Sequence, residues 1–267
     1  MLRVALFLAA APMLAQDARV GVFGLFKSAT FEVRSESGFL EISKAPAEDS
    51  LWHRLKAGDR VTGRGGVATR FRLRIPGRIE RVYEGTLAVD TEADHLRATV
   101  TMPLETAVAS IVASESVPGA TLEALKAQAV VSRSYLLASP SRHGAFDACD
   151  TTHCQFMKAP PPKGSLAERA AKETAGMVLN FDGKVIQAFY STQCGGRTRT
   201  PVEAGWQPGP YSYFAVECKT CRGKPVQGHR IGLCQRGAAA MSAQGEKYDT
   251  ILRHYYPGTL IGPAPAR

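Results

Sequence analysis

Glu115 closes a run of apolar residues at helical spacing. Leu104, Val108, Ile111 and Glu115 follow one another at steps of four, three and four, which is one stripe of an α-helix. A carboxyl group at the end of a core-facing stripe has its charged form disfavoured and its pKa raised, as a general acid working near neutral pH requires. The plain alternative is a helix-terminal glutamate turned to solvent. A second group, His143, Cys149, His153 and Cys154, falls within twelve residues, and imidazole and thiolate are the donors of tetrahedral zinc sites. Its spacing is neither that of a finger nor that of a ribbon, so zinc and a disulfide with idle histidines fit the pattern equally. Residues 189–198, FYSTQCGGRT, run from a strand into a Gly-Gly turn where backbone can approach a ligand closely. There Tyr190, Ser191, Thr192 and Gln193 offer hydroxyl and amide groups of the kind that read sugar hydroxyls, although an edge strand with a tight turn would look the same.

The elements that must hold these groups can be read around them. The helix ending at Glu115 is broken by Pro118 and Gly119, and a second starts at Thr121, which can cap it. Glu123 lies in its first turn, and Leu122, Leu125, Ala129 and Leu136 form the expected buried face. Residues 139–162 form a loop closed by three prolines, and Ser165 with Glu168 makes a capping box for a third helix ending at Gly176. Residues 177–190 are expected to be a hairpin turning at Asp182 and Gly183. Residues 228–258 are expected to be largely helical. Before all of this, residues 18–102 hold strand-like runs separated by Gly, Pro and Asp, the pattern of a partly opened barrel or sheet. The fold class expected is α+β: a β-rich region over 16–102 packed against a helical hairpin, with a mixed C-terminal part completing a catalytic region over 103–267.

The chain has 267 residues, with 45% hydrophobic and 21% charged, an ordinary globular composition. Its net charge of +9 favours polyanions such as nucleic acid, anionic lipid or an anionic wall polymer, and no nucleic-acid motif selects the first. Residues 1–15 have the form of a signal peptide, with an apolar run from Val4 to Leu14 interrupted by Pro12. The expectation is export, to the periplasm, the cell wall or the medium, with no later apolar run long enough to span a bilayer. In such a compartment the four remaining cysteines, Cys194, Cys218, Cys221 and Cys234, are first read as disulfides and next as a second zinc site. The CxxC at Cys218 and Cys221 lacks the βαβ context of a redox pair. Ser-His-Asp chemistry has no glycine elbow here, and the Gly-rich residues 62–67 lack the Lys-Ser/Thr of a phosphate loop.

The runs VASESVPG (112–119) and LEALKAQAVVSRSY (122–135) resemble the core signature of the SpoIID/LytB family, named for stage II sporulation protein D and an amidase-enhancer relative. PGRIERVYEGTLAV (76–89) and residues 228–258 are similar to further parts of that family, so the resemblance covers most of the chain. Two departures stand out: Ser116 where members usually carry Met, and GHRIG where they carry GHGVG, so that Arg230 is expected to narrow the groove. The resemblance implies a lytic transglycosylase that cuts peptidoglycan glycan strands and leaves 1,6-anhydro-muramic acid ends, with Glu115 as general acid and base. It implies that residues 189–198 line the cleft of that acid, bordered by His229, Gln235 and Arg236. It raises zinc at His143, Cys149, His153 and Cys154, a structural ion because four protein ligands leave no open position. It also implies a substrate stripped of stem peptides by an amidase partner. Two other classes stay open: a non-catalytic amidase enhancer that binds wall glycan, and a two-carboxylate hydrolase with Glu105 or Asp147 as the second acid. Nothing in the sequence tells sporulation from division or general wall turnover.

Overall fold

In Thr69–Ile75 the inward Phe71, Leu73 and Ile75 are buried and alternate with Arg70, Arg72 and Arg74, the pattern of a strand covered on one face. A computed structural model describes residues 16–264, and the signal-peptide expectation for 1–15 lies outside the described residues. Nine strands occupy residues 17–103: β1 (Asp17–Val22), β2 (Phe31–Ser37), β3 (Leu40–Ile42), β4 (Ala45–Ala47), β5 (His53–Leu55), β6 (Arg60–Thr62), β7 (Thr69–Ile75), β8 (Ile79–Glu92) and β9 (His95–Pro103). β8 is the pivot. Its first half pairs with β7, and its second half pairs with β9 on one edge and β6 on the other. The changeover falls at Gly85, where a Cβ would lie 2.3 Å from the Thr101 carbonyl oxygen, so only glycine lets the strands approach there. From β8 one branch runs to β7, β2 and β5, another to β6, β3 and β4, and a third to β9 and β1. The path does not close on itself among the described residues, so this is the opened sheet that the sequence implied.

β9 passes directly into α1 (Leu104–Glu115), whose Leu104, Val108 and Ile111 are buried as the stripe requires. α2 (Leu122–Ala138) follows after the Pro118-Gly119 break, but Thr121 does not cap it. The Thr121 hydroxyl is instead hydrogen-bonded to Ser242. A single buried face describes α2 incompletely. Leu125, Ala129 and Leu136 enter the core under the sheet, while Ala127, Val130 and Val131 enter a second core in the C-terminal half. A helix covered on both sides is the central wall of the molecule. Its Arg133 is fully buried and binds the Glu105 carboxylate together with the carbonyls of Ala171 (3.1 Å) and Met177 (3.0 Å). That one guanidinium therefore joins α1, α2, α3 (Leu166–Glu173) and the strand that follows α3.

At the start of α3 the Ser165 hydroxyl accepts the Glu168 N–H at 3.3 Å, but the Glu168 carboxylate accepts from Gly164, not from Ser165. The Ser165 N–H is already donated to the Pro162 carbonyl at 3.1 Å, which displaces the return arm of the expected box by one residue. Within the preceding loop, β10 (Ala148–Cys149) pairs in parallel with β1 and so docks the cysteine–histidine segment on the sheet. β11 (Met177–Phe181) and β12 (Lys184–Val185) form the expected hairpin, with Asp182 and Gly183 both left-handed (φ 48° and 71°) as a two-residue turn demands. β13 (Tyr190–Ser191) and β14 (Leu233–Cys234) pair in parallel, and α4 (Gln235–Ala243), α5 (Tyr248–Tyr255) and β15 (Leu260–Pro263) complete the chain.

Candidate active cleft

Glu115, the last residue of α1, lies in a cleft of about 350 Å³ whose other walls include β13, the loop that precedes β14, the first residue of α4, and the loop after β10. Burial pushes its carboxyl above the usual carboxylate range. The carbonyl end of α1 acts in the same direction. The Phe156 N–H, which donates to the carboxylate at 2.5 Å, and the neighbouring Tyr190 hydroxyl oppose part of that rise. Tyr190 is itself held protonated by burial and by the neighbouring Glu115 charge, so its hydroxyl keeps its hydrogen. Ser116, beside the acid, has a buried hydroxyl without a hydrogen-bond partner, at the position where the resembling family carries Met.

A chain of amides fixes the end of α1. The Gln235 amide donates to the Glu115 backbone carbonyl (2.9 Å) and to Gln128 Oε1 (3.2 Å), and Gln128 donates to the Ser132 hydroxyl (3.1 Å). Gln155 donates to the Ser132 carbonyl (3.2 Å) and accepts the Tyr190 hydroxyl (3.2 Å). The sequence did not single out Gln128, Ser132 or Gln155. Its signal was there in α2: Gln128 and Ser132 are polar residues four apart in an otherwise apolar buried helix, and such groups need partners.

Tyr190, Ser191, Thr192, His229 and Gln235 all line the cleft with Glu115. Gln193 does not: its backbone pairs with Gln227 and its amide donates to the Pro225 carbonyl at 2.6 Å, which turns it toward the neighbouring loop. Arg236 is exposed and takes no part in the lining. The expected narrowing by Arg230 is not found either. Its guanidinium reaches the Arg197 carbonyl (3.2 and 2.7 Å), away from the cleft, and its backbone is left-handed at φ 69°. His229 accepts the Ile231 N–H on Nδ1 at 3.0 Å, so Nε2 carries the hydrogen of the neutral ring, and burial holds its pKa below the usual histidine value. It packs against Trp206 with ring centres 5.0 Å apart. Trp206, Tyr135 and Thr152 line the cleft without having been singled out in the sequence, where single aromatic and hydroxyl residues in a loop carry no spacing to mark them.

The candidates for a second acid are engaged elsewhere. Glu105 lies in the first turn of α1 and is bound by Arg133, about 15 Å of helix rise from Glu115, beyond any two-carboxylate glycosidase spacing. Asp147 pairs with Arg19 at 2.9 Å and accepts the Ser141 and Arg19 N–H groups. Glu115 is the only carboxylate lining the cleft among the described residues. A larger cavity of about 720 Å³ lies beyond Phe189 and Trp206, but its walls are mainly apolar and aromatic and its Asp182 and Lys184 are exposed. The carboxylate with the raised pKa lies in the smaller cleft.

His153 and Cys154 form one rim of that cleft and belong to the four-donor group predicted from sequence. The ligand atoms of His143, Cys149, His153 and Cys154 lie within 4.8 Å of one another. His143 Nε2 is 3.1 Å from Cys154 Sγ, and His153 Nδ1 faces both sulfurs at 3.6 and 3.7 Å. The hydrogen bond between the two thiols pulls Cys149 below its usual pKa and pushes Cys154 above it, so the pair shares one proton and an ion would be needed to make both thiolates. Two imidazoles and two thiolates in this arrangement fit a closed tetrahedral ion, with no open position for substrate. The loop is anchored by buried Asp150, which accepts from Arg81 at 2.7 Å. Cys194, Cys218, Cys221 and Cys234 form another buried group of four.

Residues 92–181 match the family model of SpoIID, Stage II sporulation protein. That span runs from the end of β8 to β11 and contains Glu115 and the four histidine and cysteine donors. A protein of Brachyspira hyodysenteriae (strain ATCC 49526 / WA1), described as uncharacterized, is 29% identical over 119 residues, or 43% of this chain. The chain spans about a third of that relative's length, 32%.

Proposed function

We propose that the protein, whose residues 92–181 match the SpoIID model and so support a sporulation-related cell-wall function, cleaves peptidoglycan glycan strands as a lytic transglycosylase. Glu115 is its single general acid and base. The observation that carries this reading is a cleft with one half-buried, protonatable carboxylate and no second one among the described residues lining it. Hydrolysis of a glycosidic bond ordinarily uses two carboxylates, whereas an intramolecular transfer can use one. Protonated Glu115 gives its proton to the bridging oxygen as the bond from that oxygen to the muramic acid anomeric carbon breaks. The Glu115 carboxylate then accepts the proton of the muramic acid C6 hydroxyl, whose oxygen bonds to the anomeric carbon. The acid is regenerated, no water is consumed, and the strand ends in a 1,6-anhydro sugar.

The other cleft residues are assigned binding and orienting roles. Under this reading Tyr190 lies against Glu115, Gln235 fixes the backbone beneath it, and Ser191, Thr192 and His229 would meet the sugar. Trp206, 40% exposed, offers a ring face on which a sugar can pack. Zinc on His143, Cys149, His153 and Cys154 would supply a rigid loop and no Lewis-acid step. The substrate under this reading is bare glycan produced by an amidase partner, met outside the cytoplasm. Mass spectrometry of denuded glycan strands after incubation with the protein tests it. Products lighter by one water than hydrolytic ones are expected; hydrolytic masses would make the protein a hydrolase, and uncut strands that still bind would make it an amidase enhancer.

A further inference from the structure

We propose that Cys194, Cys218, Cys221 and Cys234 form a second metal site, a buried tetrathiolate holding one zinc-class divalent cation that clamps together the two strands of the cleft wall. This inference does not depend on which reaction the cleft performs.

The four sulfurs come from three separate stretches: Cys194 follows β13, Cys218 and Cys221 flank a short helical turn, and Cys234 ends β14. None of the four residues is more than 4% exposed. Their Sγ atoms lie within 4.8 Å of one another, and Cys221 and Cys234 are 3.6 Å apart. Zinc–thiolate bonds of about 2.3 Å in a tetrahedron put sulfurs roughly 3.8 Å apart, close to that separation. The surroundings are those of ligated thiolates. The Gly237 N–H donates to Cys234 Sγ at 3.4 Å, and the buried Tyr255 hydroxyl donates to Cys218 Sγ at 3.5 Å. Donors aimed at sulfur orient and stabilise metal thiolates in the shell outside the ligands. Gly237 keeps that space open: a Cβ there would sit 2.5 Å from Cys218 Sγ and 2.0 Å from the Tyr255 oxygen.

Two disulfides would use the same cysteines, but they fit less well. Each would draw its sulfurs to about 2 Å and convert them to weak acceptors, leaving the Tyr255 hydroxyl and the Gly237 N–H as poorly satisfied buried donors. Four convergent thiolates with a divalent cation satisfy both donors, and the cation cancels half of the buried thiolate charge. The consequence reaches the cleft directly. Cys234 precedes Gln235, whose amide holds the Glu115 carbonyl, and Cys194 lies two residues after Thr192, which lines the cleft. One ion thus fixes the spacing of β13 and β14 behind the substrate-facing residues.

The test is elemental analysis of the full chain purified without chelator, combined with thiol alkylation and mass measurement under denaturing, non-reducing conditions. Two zinc ions per chain are expected, with all six cysteines alkylated once metal is stripped. Cys149→Ser is expected to retain one zinc, with four sulfur ligands at about 2.3 Å by X-ray absorption. Because that variant leaves the cluster intact, the result is readable even if Cys221→Ser does not fold; if it folds, Cys221→Ser is expected to lose one of the two ions. Cobalt(II) loaded into Cys149→Ser is expected to show the intense visible bands of a tetrahedral thiolate centre. Disulfides mapped among these four cysteines, or four free thiols that take up neither zinc nor cobalt, would overturn the proposal.

Discussion

The backbone N–H of Phe156 donates to Glu115 Oε1 across 2.5 Å, although the two residues are 41 apart in the chain. The contact ties the acid to the loop that carries the histidine and cysteine donors, so order in that loop is order at the acid. The neighbouring Lys158 N–H is donated to Ser114 at 2.9 Å, a second tie across the same seam. Under the proposed function, a structural ion in the loop and a proton donor at the end of α1 are therefore one mechanical unit.

Glu115→Gln is expected to fold normally and to lower glycan cleavage by about a hundred- to ten-thousand-fold, because the amide still accepts the Phe156 N–H but cannot give a proton. The same pair of proteins reports the titration of Glu115. Its native pKa is raised above the ordinary value of 4.5, so the native state holds the proton more tightly than the unfolded chain. That stabilising contribution is complete below about pH 4.5 and is lost as pH rises through the native value. Melting curves should therefore show wild type falling relative to Glu115→Gln as pH rises from 4 to 8. A constant difference across that range would mean that the carboxyl is not perturbed.

Cys149→Ser is expected to release the ion assigned to His143, Cys149, His153 and Cys154, to lower the melting temperature, and to reduce cleavage through the Phe156 contact. Binding energy at a closed metal site is folding energy, so stability and activity should fall together. Stability unchanged by chelator, with no zinc in the wild-type chain beyond the four-cysteine cluster, would remove this ion from the account.

The part of this molecule legible in the sequence is the part written in local chemistry. Asp182-Gly183 can only turn, Pro118-Gly119 must break a helix, and the step of Leu104, Val108, Ile111 and Glu115 fixes which side of α1 meets the core. The α+β class and the β-rich first half follow from such signals. The rest depends on partners far apart in the chain. α2 was given one buried face because periodicity cannot report that Val130 and Val131 meet a second core built after residue 177. Gln193 and Gln235 are the same residue type in similar polar stretches, and only the parallel pairing of two-residue strands decides that Gln235 meets Glu115 and Gln193 does not. Thr121 looked like a cap, but Ser242, 121 residues away, takes its hydroxyl.

Glu105→Gln separates a structural acid from a chemical one. Glu105 neutralises a guanidinium with no exposed surface, and removing one partner of such a pair typically costs 3 to 5 kcal/mol. Glu105 keeps about a third of its side chain exposed, so a loss of roughly 3 kcal/mol, at the low end of that range, is expected from urea unfolding. Cleavage per folded molecule should hardly change. A large drop in rate with stability intact would restore Glu105 as the second carboxylate of a hydrolase.

Under the proposed function, Arg230→Gly tests what would set a preference for bare glycan. The left-handed backbone at φ 69° costs a residue with a side chain about 1 kcal/mol relative to glycine, while the variant gives up the hydrogen bonds from the guanidinium to the Arg197 carbonyl. The two effects oppose each other, so stability should shift by less than about 1 kcal/mol. Because the Arg230 side chain points away from the cleft, its loss does not widen the groove. Under the proposed function, exclusion of stem peptides would then come from the walls themselves, where His229 and Trp206 pack together in the same cleft as Glu115. The +9 charge attracts peptide carboxylates, but attraction between exposed charges fades within about 8 to 10 Å at physiological salt, whereas a steric clash does not. Both proteins should cut amidase-treated sacculi much faster than intact ones, with the same ratio. If Arg230→Gly brings the two rates together, the arginine and not the aromatic wall sets the width of the groove.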